Sequence, residues 1–404
     1  GDFFADMARR QGEREALVSR HQGLRYTYAG LHRAVRQLAS ALLQSGLEKG
    51  DRVGIWSHNN AEWVLMQLAT AQVGIILVNI NPAYRTAEVE YALNKVGCKA
   101  LVTMAQFKTS DYLGMLRELA PELGRCMPGM LAAKRLPSLR TVVWIDVAGQ
   151  GANQPGMLRF SDWLAKGQAD DPQIDAVAAT LSNTDPINIQ FTSGTTGFPK
   201  GATLTHRNIL NNGFFIGECM KLTAADRLCI PVPLYHCFGM VLGNLACFTH
   251  GSTVVYPNDG FDPLTVLETV QAEKCTGLHG VPTMFIAELD HPRFKEFDLS
   301  TLRTGIMAGS PCPRGDEARA GRYAHDRGDH CLRHDRDQPG ELPKLHRYAA
   351  GQARLHRRPG AAAPGGENHP PRNGGHRGTG RDGRAVYQRL FRHARLLGRC
   401  RKNP

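Results

Sequence analysis

Residues 52–78 read RVGIWSHNNAEWVLMQLATAQVGIILV. Arg52–Trp56 is an apolar run of strand length. Ala61–Ala71 follows with apolar residues at helical spacing, and Gly74–Val78 (GIILV) is again strand-like. Strand, helix and strand within so short a span predict neighbouring parallel strands joined by a covering helix. The same alternation extends outward. Upstream, Leu31, Ala34, Val35, Leu38, Ala39, Leu42 and Leu43 keep helical spacing and stop before Gly46. Downstream, Thr86–Val96 predicts a helix and Lys99–Thr103 a strand. Thr141–Ile145, Ile187–Thr192, Ser252–Tyr256, Thr276–Leu278 and Arg303–Ala308 also read as strands. Thr205–Cys219, Leu264–Ala272 and Pro282–Leu289 read as helices between most of these later strands. The predicted fold class is α/β, with two parallel-rich sheets packed by helices. One sheet is expected within 1–180 and the other within 181–313. No internal repeat is evident.

Several classes are excluded. The longest apolar stretch, Trp63 to Ile80, carries Gln67, Gln72 and Asn79 and changes period midway, so no transmembrane span is expected. No charged-then-apolar signal peptide opens the chain. The ten cysteines form no C-x-x-C pair and no metal-ligand spacing. Cys98, Cys229, Cys247 and Cys275 sit in apolar surroundings, which predicts reduced core thiols, a cytoplasmic location and no protein-held metal site.

The net charge of +12 is not evenly spread. Residues 314–404 hold 21 Lys+Arg and 9 Asp+Glu, a balance of +12, so residues 1–313 are neutral overall. The same 91 residues contain 19 Arg and 14 Gly but only 9 Leu, Ile, Val and Phe together. Ordering them would cost about 1.5 kcal/mol each, roughly 140 in all. Nine buried apolar side chains would return at most about 3 each. A largely disordered, non-native tail is therefore expected at 314–404.

The strongest local signal is Phe191–Ala202, FTSGTTGFPKGA. It follows the strand-like Ile187–Gln190 and precedes a helix expected near Thr205. Thr192, Ser193, Thr195 and Thr196 offer hydroxyls. Gly194, Gly197 and Gly201 allow close backbone approach and positive φ. Successive amides of such a loop form an anion nest, and Lys200 adds a mobile charge. Together they suit a triphosphate. The spacing is not the Walker pattern G-x-x-x-x-G-K-[ST]. The alternative is a polar surface loop.

This loop resembles the phosphate-binding signature of the adenylate-forming enzymes, which include acyl-CoA synthetases. Pro231–Gly239 (PVPLYHCFG) resembles the family's next motif, and Gly305–Pro313 (GIMAGSPCP) the strand and turn beside its adenine and acyl sites. Asp51–Asn60 and Gly74–Tyr84 resemble earlier motifs. The likeness spans 1–313, and NPAYR and AGSPCP most resemble medium-chain fatty acyl-CoA synthetases. It implies the family's large N-terminal domain and the use of ATP, magnesium and coenzyme A. A fatty acid carboxylate would attack the α-phosphorus to give acyl-AMP and pyrophosphate, and coenzyme A would then displace AMP. The resemblance gives Lys200 and His236 catalytic roles and the phosphates to Thr192–Gly197 and Lys200. It sets Gly309, Ser310 and Pro311 beside the nucleotide, and His236, Cys237, Phe238 and Gly239 at the acyl pocket. A structural histidine at 236 and a plain strand-end turn at 309–311 are the alternatives. Cys237 and Cys312 read as packing, since no general base partners them.

The family pattern continues with an aromatic-Gly-x-Thr-Glu segment for magnesium, an Asp for the ribose and a Lys on a C-terminal domain. None appears in 314–404. One permitted codon set for His330–Asp337, HCLRHDRD, read one base over, gives I-A-Y-G-M-T-E. The tail thus reads as out-of-frame translation starting near Pro313, which predicts an acyl-CoA synthetase impaired as written. Two other functions stay open: a non-catalytic nucleotide- or acyl-binding remnant, and nucleic-acid binding by the Arg-rich tail. The last lacks an aromatic ladder, zinc spacing or helix-turn-helix. The expected partners are small molecules, with no specific nucleic acid.

Overall fold

The computed structural model describes residues 1–146, 151–192 and 199–310, together with the backbone of Leu332–Arg333. The expected tail at 314–404 otherwise lies outside the described residues. Two seven-stranded sheets dominate. In the first, the strand order is Lys200–Thr205, Pro186–Thr192, Ile76–Asn79, Arg52–Trp56, Ala100–Met104, Thr141–Ile145, Leu158–Arg159. Every neighbouring pair is parallel except the first, which is antiparallel. In the second, the order is Leu332–Arg333, Thr304–Met307, Gly277–Gly280, Arg227–Cys229, Thr253–Tyr256, Glu15–Ser19, Leu24–Thr27. It too is parallel apart from one antiparallel pair, Glu15–Ser19 with Leu24–Thr27.

The α/β class with two parallel-rich sheets is as expected, and several elements fall where periodicity put them. Arg52–Trp56, Thr86–Val96, Thr141–Ile145 and Pro282–Leu289 match to the residue. Sheet membership, however, does not follow a division near residue 180. Glu15–Ser19 and Leu24–Thr27 complete the second sheet, while Pro186–Thr192 and Lys200–Thr205 complete the first. Hydrophobic period identifies a strand but not its distant partner, which depends on which sheet edge needs covering.

The stretch weighed above as an apolar span is a buried helix followed by a strand. Helix Ala61–Gln72 buries ten side chains around its whole circumference, including Trp63, Met66, Gln67 and Thr70. A helix apolar on all faces belongs inside a core rather than on its surface. Asn60 starts it, its side-chain oxygen accepting from the Trp63 amide at 2.8 Å. A shared core of Leu31, Leu38, Trp63, Val78, Leu228 and Val254, among others, joins elements of both sheets. Among the described residues no helix is long and apolar enough to cross a membrane.

Candidate nucleotide and acyl site

Three segments singled out in the sequence each leave the carboxyl end of a strand, where open α/β sheets place their ligands. The first is the hairpin of Pro186–Thr192 and Lys200–Thr205, whose last registered pair is Thr192 with Lys200. Both residues are exposed, and the Thr192 hydroxyl lies 3.4 Å from the Lys200 carbonyl it faces. Ser193, Gly194, Thr195, Thr196 and Gly197 lie outside the described residues. The Tyr91 hydroxyl donates to the Pro199 carbonyl at 3.2 Å and so holds one stem of the hairpin to the helix Thr86–Val96.

The helix expected near Thr205 runs His206–Cys219, and a strand absent from the sequence expectations, Lys200–Thr205, precedes it. KGATLT is polar and largely exposed, so it lacks the alternation that marks a half-buried strand. The helix amino end is already satisfied by a capping box of Thr205 with Asn208.

The second segment is the turn 231–237, which follows the strand Arg227–Cys229 and enters a π-helix at Phe238–Leu245. Such wide turns inside helices are frequent at functional sites. Gly239 permits the close approach, since a Cβ there would stand 2.5 Å from the Pro233 carbonyl oxygen. His236 is exposed at this turn. The Phe238 amide donates to its Nδ1 at 3.1 Å. Nδ1 therefore carries no proton, and the neutral ring presents an Nε2–H. Partial desolvation holds the His236 pKa below the ordinary histidine value, in agreement with that tautomer. The Cys237 thiol lies 3.7 Å from Nδ1, and burial pushes its pKa up, so it stays protonated. Phe238 and Gly239 are buried. The Phe238 ring rests on His279 at 5.2 Å between centroids.

The third segment follows the strand Thr304–Met307. Gly309 has φ +101°, a conformation that favours glycine, and Ser310 is exposed. Pro311 and Cys312 lie outside the described residues.

Buried side chains that the sequence reading did not single out join these segments. Asn59 grips the turn twice, donating to the Val232 carbonyl at 2.9 Å and accepting from the Leu234 amide at 2.9 Å. Asn79, at the end of its strand, donates to the Tyr235 carbonyl at 3.1 Å. Asn188, on the hairpin strand, donates to Asn79 Oδ1 at 3.0 Å. Gln67 donates to the Met240 carbonyl at 3.2 Å and accepts from Asn244 at 3.0 Å, and Tyr256 donates to Asn244 at 2.6 Å. His279, one strand from Thr304–Met307, makes a 3.1 Å hydrogen bond through Nε2 to the Leu242 carbonyl. The signal for these residues was present as single polar side chains inside apolar runs (Gln67, Asn79, Asn188, His279). Burial of such groups is costly unless each finds a partner.

Among the described residues no group of three or more His, Cys, Asp or Glu is placed to hold a metal ion.

The family model for AMP-binding enzymes matches residues 4–325. The medium-chain acyl-CoA ligase ACSF2, mitochondrial, of Macaca fascicularis is 48% identical over 312 residues, covering 76% of this chain and 50% of that protein. The chain spans about half the length of the curated relatives it matches. Among solved structures, a Mycobacterium tuberculosis fatty acyl CoA synthetase superposes with a TM-score of 0.67 at 20% identity, covering 80% of this chain and 57% of the other. The anthranilate CoA ligase AuaEII in complex with anthranoyl-AMP superposes at 0.65 with 23% identity, covering 77% and 55%. These two likenesses concern the fold.

Proposed function

We propose a function from one premise: the chain belongs to the AMP-binding enzyme family. Its reaction is the ATP-dependent activation of a fatty acid of medium length. A carboxylate oxygen attacks the α-phosphorus, the bond to the β-phosphate breaks, and pyrophosphate leaves with its electron pair. Coenzyme A thiolate then attacks the acyl carbonyl, and AMP leaves.

Both reactants of the first step are anions, so charge must be neutralised and the atoms aligned. Lys200, exposed at the end of the hairpin, supplies a positive charge for the β- and γ-phosphates, beside the hydroxyls and amides of Thr192–Gly197. His236 offers Nε2–H to the fatty acid carboxylate. A neutral donor orients that oxygen without quenching its charge as an imidazolium would. Gly309 and Ser310 approach the nucleotide through backbone, with Pro311 next in sequence. Cys237, Phe238 and Gly239 border the acyl chain, with Phe238 and Gly239 contributing from beneath the surface. The free thiols at Cys98, Cys229, Cys247 and Cys275 suit a reducing compartment such as the cytoplasm.

The observation that carries this reading is the run of buried amides joining the phosphate-loop hairpin to the histidine turn. It gives two exposed polar groups of complementary chemistry a common frame. Residues 314–404 lack the magnesium-site Glu motif, so turnover by the chain as written should be strongly reduced. A pyrophosphate-release assay with decanoate, ATP and coenzyme A tests this against a gene restored to the other frame after codon 313. The restored protein should release pyrophosphate only when decanoate is present, and the chain as written should be far slower. Equal turnover would refute the out-of-frame account. No release by the restored protein would refute the proposed reaction.

A further inference from the structure

We propose that Asn79 is a positioning residue that locks the stem of the phosphate loop to the histidine turn, so that nucleotide binding is felt at His236. This rests on the reading above for what the two segments bind, but its geometric basis is independent of that reading.

Asn79 closes the strand Ile76–Asn79, whose other three residues are apolar and buried. Packing alone would favour another aliphatic there. Asn79 is instead 2% exposed, as is Asn188. Each polar atom of Asn79 is engaged with a different element. Its Oδ1 accepts from Asn188 on the strand that carries the loop, and its Nδ2 donates to the carbonyl of Tyr235, the residue before His236. Nδ2 also lies 3.5 Å from Met240 Sδ in the π-helix.

The Asn188 amide donates to the Leu77 carbonyl at 3.1 Å as well as to Asn79, while its own Oδ1 is buried without a partner among the described residues. An unpaired buried oxygen costs free energy. The amide thus accepts a loss on one side to hold Asn79 on the other. With both ends fixed, the Asn79 side chain cannot flip without losing two hydrogen bonds. A displacement of the hairpin strand is transmitted to the Tyr235 carbonyl and from there to the adjacent His236. The Asn59 clamp holds the preceding part of the turn, so the compliant point is at residues 235–236.

The test is nuclear magnetic resonance of carbon-13-labelled histidine in the full chain, with His236 assigned through His236→Gln. In the wild type, a non-hydrolysable ATP analogue should shift the His236 signal. In Asn79→Ala that shift should vanish, and the His236 pKa should rise toward the ordinary histidine value as the turn loosens and water reaches the ring. The His279 signal at pH 7 should stay in place. Asn188→Ala should lose the nucleotide-induced shift while keeping the Tyr235 contact. If Asn79→Ala does not fold, Asn79→Ser and Asn188→Ala carry the same comparison. A variant whose His236 still answers the nucleotide as in the wild type overturns the proposal. So does a variant in which His279 moves together with His236, because that marks general loosening. A wild type that binds no analogue at all refutes the nucleotide reading instead, and the pKa comparison then decides the positioning role alone.

Discussion

Lowering the pH from 7 to 5 should destabilise this protein through His279, and substituting that residue should remove the effect. His279 is fully buried in the strand Gly277–Gly280. Burial pulls its pKa down to about 4. The neutral ring keeps its hydrogen bond to the Leu242 carbonyl through Nε2, whereas Nδ1 has no hydrogen-bond partner among the described residues. Protonation would place a charge against the Phe238 ring and apolar core. In the unfolded chain the same imidazole titrates near ~6.5. The unfolded state therefore binds more protons between those two values. The stability from His279 is complete above pH ~6.5 and is lost progressively as pH falls toward 4. At pH 5 a proton on the unfolded ring and none on the folded one corresponds to a loss of about 2 kcal/mol relative to pH 7. Urea denaturation at both pH values, for the wild type and His279→Gln, measures it. Glutamine can still donate to Leu242 but does not titrate, and the other histidines contribute equally to both proteins. The wild type should lose about 2 kcal/mol more than the variant. Curves that fall in parallel, within about 0.5 kcal/mol, would refute the reasoning.

Two further outcomes are expected. Gly239→Ala forces a Cβ against the Pro233 carbonyl at 2.5 Å, so the histidine turn cannot close. Calorimetric titration should show decanoate affinity reduced at least about tenfold with ATP affinity kept, since backbone displacement here costs on the order of 1–3 kcal/mol. Asp226→Ala removes the acceptor of Arg303 Nε, of the Thr276 hydroxyl and of the Thr223 amide, at 2.9, 2.7 and 2.8 Å. Urea denaturation should register about 3 kcal/mol, the low end for a broken buried pair because Arg303 keeps some access to water.

The sequence made local structure legible where the hydrophobic period was strong. Thr86–Val96 and Thr141–Ile145 appear with the predicted bounds because their burial pattern is their sequence pattern. Lys200–Thr205 was missed because its edge position leaves it polar, and Glu15–Ser19 was missed because nothing local says that it pairs with Thr253–Tyr256. The motif residues His236 and Lys200 were visible as unusual side chains in recognisable settings. Of the amides behind them, Gln67 and Asn79 were visible as interruptions of an apolar run, and Asn59 and Asn79 stood inside the motif-like stretches 51–60 and 74–84 with no role of their own. Gln67 and Asn79 were read as arguments against a membrane span, whereas their partners, Met240 and Tyr235, lie more than 150 positions away. A hydrogen bond across that separation has no sequence signature in one chain. The glycines at 239 and 309 divide similarly: both stand in motifs, but only the fold shows that one admits a carbonyl and the other a positive φ.

The central claim assigns the two anions to two places in one frame, nucleotide phosphates to the hairpin loop and fatty acid to the histidine turn. Calorimetric titration of ATP and of decanoate into the wild type, Lys200→Ala and His236→Gln tests it most directly. Lys200→Ala should weaken ATP about tenfold or more and leave decanoate unchanged, while His236→Gln should do the reverse. If one substitution weakens both ligands equally, or if neither changes either affinity, the assignment is wrong.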